Sequence, residues 1–216
     1  MMSDMKPIAV SLFDLTGNML IPWRDAGYEC WIVDNQHPQA VSNGGVTEQD
    51  GFFKVHYDLS MPWMTPFDKE RIEFVAAFPP CDHLAVSGSR WFRGKGLRSL
   101  ARSINLFATA AEFCEWAAVP YMIENPVSTI STYWRKPDYS FDPYEYTELE
   151  AGDNYTKKTC LWTGNGFVMP ERSQDSSLGA PDDRIHKCPP SANRSNIRSA
   201  TPMGFARAVF ESNVTL

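Results

Sequence analysis

Four times before residue 82 the chain enters a short apolar run and stops it on an acidic or rigid residue. Ile8 to Phe13 runs into Asp14, Cys30 to Val33 ends at Asp34, and Phe53 to Tyr57 ends at Asp58. Ile72 to Phe78 then runs into Pro79-Pro80-Cys81. Runs of four to eight residues bounded by turn formers read as strands. Helical segments lie between and after them. Met19 to Ala26 is closed by Gly27, the residue type that follows a helix C-terminus at least steric cost. Leu97 to Val119 repeats apolar residues at three- and four-residue steps (Leu97, Leu100, Ala101, Ile104, Ala108, Ala111, then Phe113 or Cys114) until Pro120 stops it. A fifth strand, Tyr121 to Glu124, leads into Asn125-Pro126. Strands alternating with helices predict an α/β fold with a doubly wound, mostly parallel sheet. Ligands of such sheets collect at the carboxyl ends of the strands, where the acidic residues, Cys81 and Glu124 fall.

Composition narrows the function classes. A length of 216 residues suits one domain across 1–216. There is no apolar run of the roughly 20 residues needed to span a bilayer, and the first residues lack the plan of a secretory signal, so a cytoplasmic protein without a membrane partner is expected. Five cysteines with no Cys-x-x-Cys pair and four scattered histidines give neither a disulfide framework nor a metal site. A net charge of −6 speaks against coating nucleic acid by bulk attraction and leaves a local basic groove open.

Beyond residue 127 the pattern loses its periodicity. Trp134 to Asp153 is acidic and tyrosine-rich, and Ser173 to Ser199 is rich in Ser, Pro, Asn and charge; both read as mostly loop, with 165–200 the loop-rich C-terminal part. Met203 to Glu211 reads as a last helix, with Thr201 as its cap and Pro202 in its first turn.

Three places carry chemistry. At the first strand end, Phe13, Asp14, Thr16, Gly17 and Asn18 form a tight turn before a helix, an arrangement that presents backbone N–H groups to a ligand. Asp34, 17 residues beyond Gly17, is placed to accept from ribose hydroxyls, and Asp58 from an amino group such as that of adenine. Next, Pro79 and Pro80 fix the backbone ahead of Cys81. Arg90, Arg93 and Lys95 follow and are expected to lower the thiol pKa and supply a thiolate nucleophile. A lone cysteine is more often a small buried hydrophobe. Finally, Glu124-Asn125-Pro126 puts a carboxyl group at the mouth of the sheet. Attack of a thiolate on carbon 6 of cytosine places negative charge on the ring, and a carboxyl at ring nitrogen 3 absorbs it. The enamine that results accepts a methyl group at carbon 5.

With these residues in this order, the chain resembles the carbon-5 cytosine DNA methyltransferase family, as a short, divergent member of bacteriophage type. Ser11-Leu12-Phe13-Asp14-Leu15-Thr16-Gly17-Asn18 resembles the first motif of that family, and the resemblance implies that Phe13 packs on the adenine of S-adenosylmethionine. Asp34 and Asp58 match the ribose and third-motif carboxylates. Phe78-Pro79-Pro80-Cys81 resembles the Pro-Cys nucleophile motif, with Pro79 beside the donor, and Glu124-Asn125 the Glu-Asn motif. The family's paired arginines are matched by Lys157 and Lys158, and its final motif by Arg198 to Pro202. Leu15 and Asn18 stand where glycines are usual, and Asp82 follows the nucleophile in place of Gln. Only 35 residues separate Trp162 from Arg198, so the separate target recognition domain of the family is missing.

The resemblance implies a Rossmann-like methyltransferase fold, S-adenosylmethionine as cofactor, DNA as partner and, for a phage protein, the host cytoplasm. Ser87, Arg90, Trp91 and Arg93 are then expected at the DNA, with Asn125 near the base. Arg90, Arg93, Lys95, Arg98 and Arg102 place five positive charges within 13 residues, suited to phosphates. Trp91 and Phe92 are suited to stacking on bases. Arg184, Lys187, Arg194 and Arg198 read as a second basic strip, and the acidic Asp138 to Asp153 segment is expected to face away from DNA. Without a reading domain, specificity is short, absent or supplied by a protein partner. Two alternatives stay open: modification of cytosine or uracil in nucleotides or single strands, and a catalytically degenerate binding protein.

Overall fold

The computed structural model describes residues 5–38 and 45–214. Eight strands form one sheet: β1 (Ile8–Leu12), β2 (Glu29–Asp34), β3 (Val46–Gln49), β4 (Phe52–His56), β5 (Ile72–Ala77), β6 (Tyr121–Pro126), β7 (Tyr139–Phe141) and β8 (Thr159–Gly164). Their spatial order is β3-β4-β2-β1-β5-β6-β8-β7. The five strands from β4 to β6 are parallel, whereas β3, β8 and β7 each pair antiparallel with their neighbours. The sheet is therefore mixed. The order reverses between β1 and β5, the place where open α/β sheets hold ligands.

Helices are α1 (Ile21–Asp25), α2 (Phe92–Lys95), α3 (Leu97–Ala117), α4 (Ile130–Tyr133), α5 (Arg184–Lys187), α6 (Arg194–Ser199) and α7 (Met203–Asn213). Both faces of the sheet are covered, because the parallel strands are apolar on both sides. On one face Phe107, Ala110, Cys114 and Ala117 of α3 join Leu12, Val33, Val75 and Ile123 in one core. On the other, Trp23 of α1 and Phe205 and Val209 of α7 pack with Ala9, Ile32, Phe74 and Met122. Trp23 stacks on Phe74 at 4.5 Å. Each fully buried side chain of this size contributes about 1.5–3 kcal/mol.

Three sequence expectations are corrected here. The buried stripe of α3 is Ser103, Leu106, Phe107, Ala110, Cys114 and Ala117, with the expected Leu100, Ile104, Ala111 and Phe113 partly buried at its edge, while Leu97 is 83% exposed. Small alanines occur on more than one side of this helix, and the bulk of Leu106 and Phe107 decides which side is buried. The second concerns Trp134 to Asp153, which contains β7 and buries Phe141 and Tyr146. Its acidic residues hold backbone. Asp142 forms a capping box with Glu145 and accepts the Lys157 N–H at 2.7 Å. Asp153 accepts the Gly204 N–H at 2.8 Å, and so satisfies the first turn of α7 from 51 residues away. Pro202, not Thr201, occupies the N-cap position of that helix, and no side chain of its own residue caps it.

Gly204 brings α7 against the backbone of Tyr146, where an added Cβ would sit 2.5 Å from the carbonyl oxygen. Gly204→Ala is therefore expected to destabilise the fold by about 1–3 kcal/mol, the usual cost of overpacking. A thermal unfolding curve superposable on wild type would contradict that contact.

Candidate functional site

The β1 turn is built around one carboxylate. Asp14 is buried and accepts from the Ser11 hydroxyl at 2.7 Å, from the Thr16 N–H at 2.9 Å and hydroxyl at 3.1 Å, and from the Gly17 N–H at 2.8 Å. The N–H groups of Thr16 and Gly17 are thus turned inward, and they serve the turn instead of pointing outward to a ligand. Gly17 has φ +73, and a Cβ there would meet the Phe52 ring at 3.0 Å. Phe13 adopts φ 56, uncommon for a bulky residue, which leaves its ring half-buried at the strand end. Asn18 donates from its amide to the Thr201 carbonyl at 3.2 Å, tying the turn to the start of α7.

Asp34 closes β2 and is buried. One of its oxygens accepts the Gln36 N–H at 2.7 Å. Burial pushes its pKa up, opposed by that hydrogen bond and by His37. Sequence reading missed His37. Its ring is buried, and Nε2 lies 3.0 Å from the Asp14 carbonyl, so it carries a proton there and links the two turns. A histidine three residues after a strand-closing aspartate was the available signal. Asp58 is half-buried; it accepts the Ser60 N–H at 3.0 Å, and that bond leads in holding its pKa below the usual value. Phe13 follows β1, Asp34 closes β2 and Asp58 follows β4, so one aromatic ring and two carboxylates stand at the carboxyl ends of three neighbouring parallel strands.

Across the reversal in strand order lies the second group. Leu12 and Ala77 are paired in register, and the Phe78 N–H donates to the Leu12 carbonyl at 3.0 Å. Ala77 pairs in turn with Ile123, which places Pro79 to Cys81 beside Glu124 and Asn125. Asn125 is 1% exposed, and its amide donates to the Pro79 carbonyl at 2.8 Å, fastening the segment before the thiol. Beyond Cys81 the two loops are joined by Val86 N–H to Val127 carbonyl and Thr129 N–H to Leu84 carbonyl, both 2.9 Å. Cys81 and Glu124 are held relative to each other by backbone on either side of them.

Electrostatics at the thiol differ from the sequence expectation. Burial, with Glu124 and Asp82 adding to it, pushes the Cys81 pKa up to about 11, and the opposing cation is Lys157. Arg90, Arg93 and Lys95 are exposed; Arg90 lies over the Trp91 ring and Lys95 reaches the Asp82 carbonyl. Their charges stay in solvent, where screening is strong. Burial raises the Glu124 pKa as well, again opposed by Lys157. Lys157 enters through β8, which pairs with β6 so that Thr159 faces Pro126. Its ammonium donates to the Ala200 carbonyl at 3.3 Å. It lines a narrow crevice with Phe78, Glu124, Thr159 and Thr201. Lys158 is exposed, with its charge acting on Cys160. The structure thus gathers Cys81, Glu124, Asn125 and Lys157, and leaves Lys158 outside.

Ser87, Arg90, Trp91 and Arg93 lie together on an exposed short helical stretch, Trp91 being 60% exposed. Because Lys157 is the cation that opposes the rise in the thiol pKa, Lys157→Met is expected to slow alkylation of Cys81 by iodoacetamide at pH 9 by about two- to threefold, since the thiolate fraction falls tenfold per pKa unit. In wild type the rate, followed by peptide mass mapping, is expected to climb with pH toward a midpoint of about 11. An unchanged rate in the variant would remove Lys157 from the thiol's surroundings.

Among the described residues no helix is long and apolar enough to cross a membrane. Comparison with profiles of known protein families and with curated protein sequences found no match. Among solved structures the chain is similar to a protein provisionally described as a DNA modification methyltransferase encoded within an Escherichia coli prophage. The two are 12% identical with a TM-score of 0.38, over 74% of this chain and 46% of the other, so this chain spans about half the length of that protein. The functional reading rests on the residues of the site.

Proposed function

We propose that this protein transfers a methyl group from S-adenosylmethionine to carbon 5 of cytosine in DNA through a covalent Cys81 adduct. The observation that carries the reading is the fastening of Cys81 beside Glu124 at neighbouring ends of parallel strands, through the 2.8 Å hydrogen bond from Asn125 to Pro79. The strand order 3-2-1-4-5, obtained by renumbering the five parallel strands, is that of a doubly wound, Rossmann-like sheet and supports the same reading.

In this reading the Cys81 thiol gives its proton to solvent and its sulfur bonds to carbon 6 of the ring while the Glu124 carboxyl protonates nitrogen 3, so that charge does not accumulate on the ring. Carbon 5 becomes the nucleophile. S-adenosylmethionine, when bound, would supply an electrophilic methyl group to carbon 5, its sulfur keeping the bonding pair as S-adenosylhomocysteine. Loss of the carbon 5 proton to solvent, departure of the thiolate and return of the nitrogen 3 proton to Glu124 then restore the aromatic ring. Burial keeps a proton on Cys81 in the free protein and raises the Glu124 pKa, so thiolate formation awaits the substrate, with Lys157 stabilising the charge. Phe13 would pack on adenine, Asp34 would take the ribose hydroxyls and Asp58 the adenine amino group. Asp14, Thr16, Gly17 and Asn18 shape the turn, and Pro79 borders the cleft.

Single-stranded DNA or a free nucleotide is the second reading. The segment between β8 and α7 holds two short helices, α5 and α6, and no strand among the described residues, which favours a protein with little surface for reading a duplex. Transfer of labelled methyl from S-adenosylmethionine to duplex DNA, single-stranded DNA and cytidine nucleotides, followed by nucleoside mass spectrometry, separates the substrates. Labelled 5-methylcytosine supports the proposal, and a donor-binding protein that labels none of them overturns it.

A further inference from the structure

The two halves of the second basic strip behave differently. Arg184 is paired with Asp182 at 2.6 Å and Lys187 with Asp183 at 2.9 Å, so both charges are answered within the chain. Arg194 and Arg198 stand one turn apart on α6, and neither has an acidic partner among the described residues. The Nε–H of each is secluded from solvent and has no acceptor among the described residues. The terminal nitrogens of both guanidinium groups are not sealed and make no hydrogen bond among the described residues, so two unanswered charges on one short helix are open to an acceptor that arrives from outside. Ile197, on the same face, is 53% exposed.

The position of α6 says which acceptor. Its C-terminal neighbour Ala200 accepts from Lys157, which lines the Glu124 crevice. Asn196, turned the other way, contacts Gln36 at 3.4 Å, beside the Asp34 turn. The helix therefore lies against the same end of the sheet as the candidate site. An acceptor for a pair of forked donors is an anion with several oxygens, as carboxylate and phosphate are, and for an enzyme acting on DNA the anion at hand is phosphate.

Resting on the reading of this protein as a DNA-modifying enzyme, we infer that Arg194 and Arg198 form a phosphate clamp that holds the DNA backbone next to the target nucleotide. The clamp supplies position without sequence information, in a chain that has little else between β8 and α7 to grip DNA.

The test uses the full chain and fluorescein-labelled DNA, duplex and single-stranded, with affinity measured by anisotropy at several salt concentrations. For Arg194→Gln/Arg198→Gln the slope of log K against log salt is expected to fall in magnitude by about 1.8 on duplex and about 1.4 on single strands, the loss of two phosphate contacts. Arg194→Lys/Arg198→Lys is expected to keep the wild-type slope, since charge is retained, which separates the clamp from a merely structural role. A wild-type slope in the Gln variant overturns the clamp and leaves the enzyme reading intact. A reduced slope in the Gln variant, with a wild-type protein that transfers no methyl group, leaves the clamp and overturns the enzyme reading. Weakening of deoxycytidine monophosphate binding in place of DNA binding assigns the clamp to a nucleotide and overturns the DNA backbone as its ligand.

Discussion

Cys81→Ser is expected to reduce methyl transfer to DNA by at least about a thousandfold, the scale on which removal of a covalent nucleophile acts. Donor binding should be unchanged, because Phe13, Asp34 and Asp58 lie on other strand ends. The change is nearly isosteric, and Asn125 still holds Pro79, so the unfolding temperature should stay within a degree or two of wild type. The expectation follows from geometry more than from acidity. A thiol whose pKa is pushed up to about 11 is a poor resting nucleophile, and its use depends on the arrival of a ring that accepts a proton at nitrogen 3. A Cys81→Ser protein that retains a tenth of wild-type activity would show that Cys81 is a buried packing residue.

Glu124→Gln is the second large effect. Burial raises the pKa of this carboxyl, so it holds its proton at a pH where exposed glutamates have lost theirs. Glutamine keeps the shape and one hydrogen-bond donor but delivers no proton to the ring. A loss of about 10²–10³ in the rate of transfer is expected, with donor affinity unchanged. In the wild-type enzyme the rate should fall as pH rises through the raised carboxyl pKa, because the deprotonated form cannot act as the acid, and Glu124→Gln should lose that dependence. A Glu124→Gln variant with wild-type kcat would remove the residue from the chemistry.

Much of the frame was legible in the sequence because burial on both faces makes parallel strands into continuous apolar runs. Ile8 to Phe13, Cys30 to Val33 and Ile72 to Phe78 fall within a residue of β1, β2 and β5 or just inside them. The long helix ends where Ala118 turns to positive φ ahead of Pro120. The antiparallel edges were not legible, for physical reasons. Strand β3 is mostly exposed, β7 has only three residues, and the carboxylates around it look like a solvated loop until Asp142, Glu145 and Asp153 are seen holding backbone N–H groups or each other's turn. At the site, the adjacency of Cys81 and Glu124 follows from two strand ends being neighbours, which chain order alone suggested. The choice between Lys157 and Lys158 did not, since adjacent residues of an extended chain point to opposite sides. Nor did the inward use of Thr16 and Gly17 N–H groups, which depends on the rotamer of Asp14. The neutralisation of Arg184 and Lys187 was open to sequence reading, because Asp182 and Asp183 stand two and four residues away.

The central claim is a covalent bond between Cys81 and carbon 6 of cytosine. DNA carrying 5-fluorocytosine arrests the reaction after methyl transfer, since fluorine at carbon 5 cannot leave as a proton does. Incubation of the wild-type protein with such DNA and S-adenosylmethionine should give a denaturation-resistant complex. Peptide mapping should place the bond at Cys81, and the complex should be absent for Cys81→Ser and without donor. A folded, donor-binding protein that forms no such complex with duplex or single-stranded DNA, or forms it equally well in Cys81→Ser, would contradict the account.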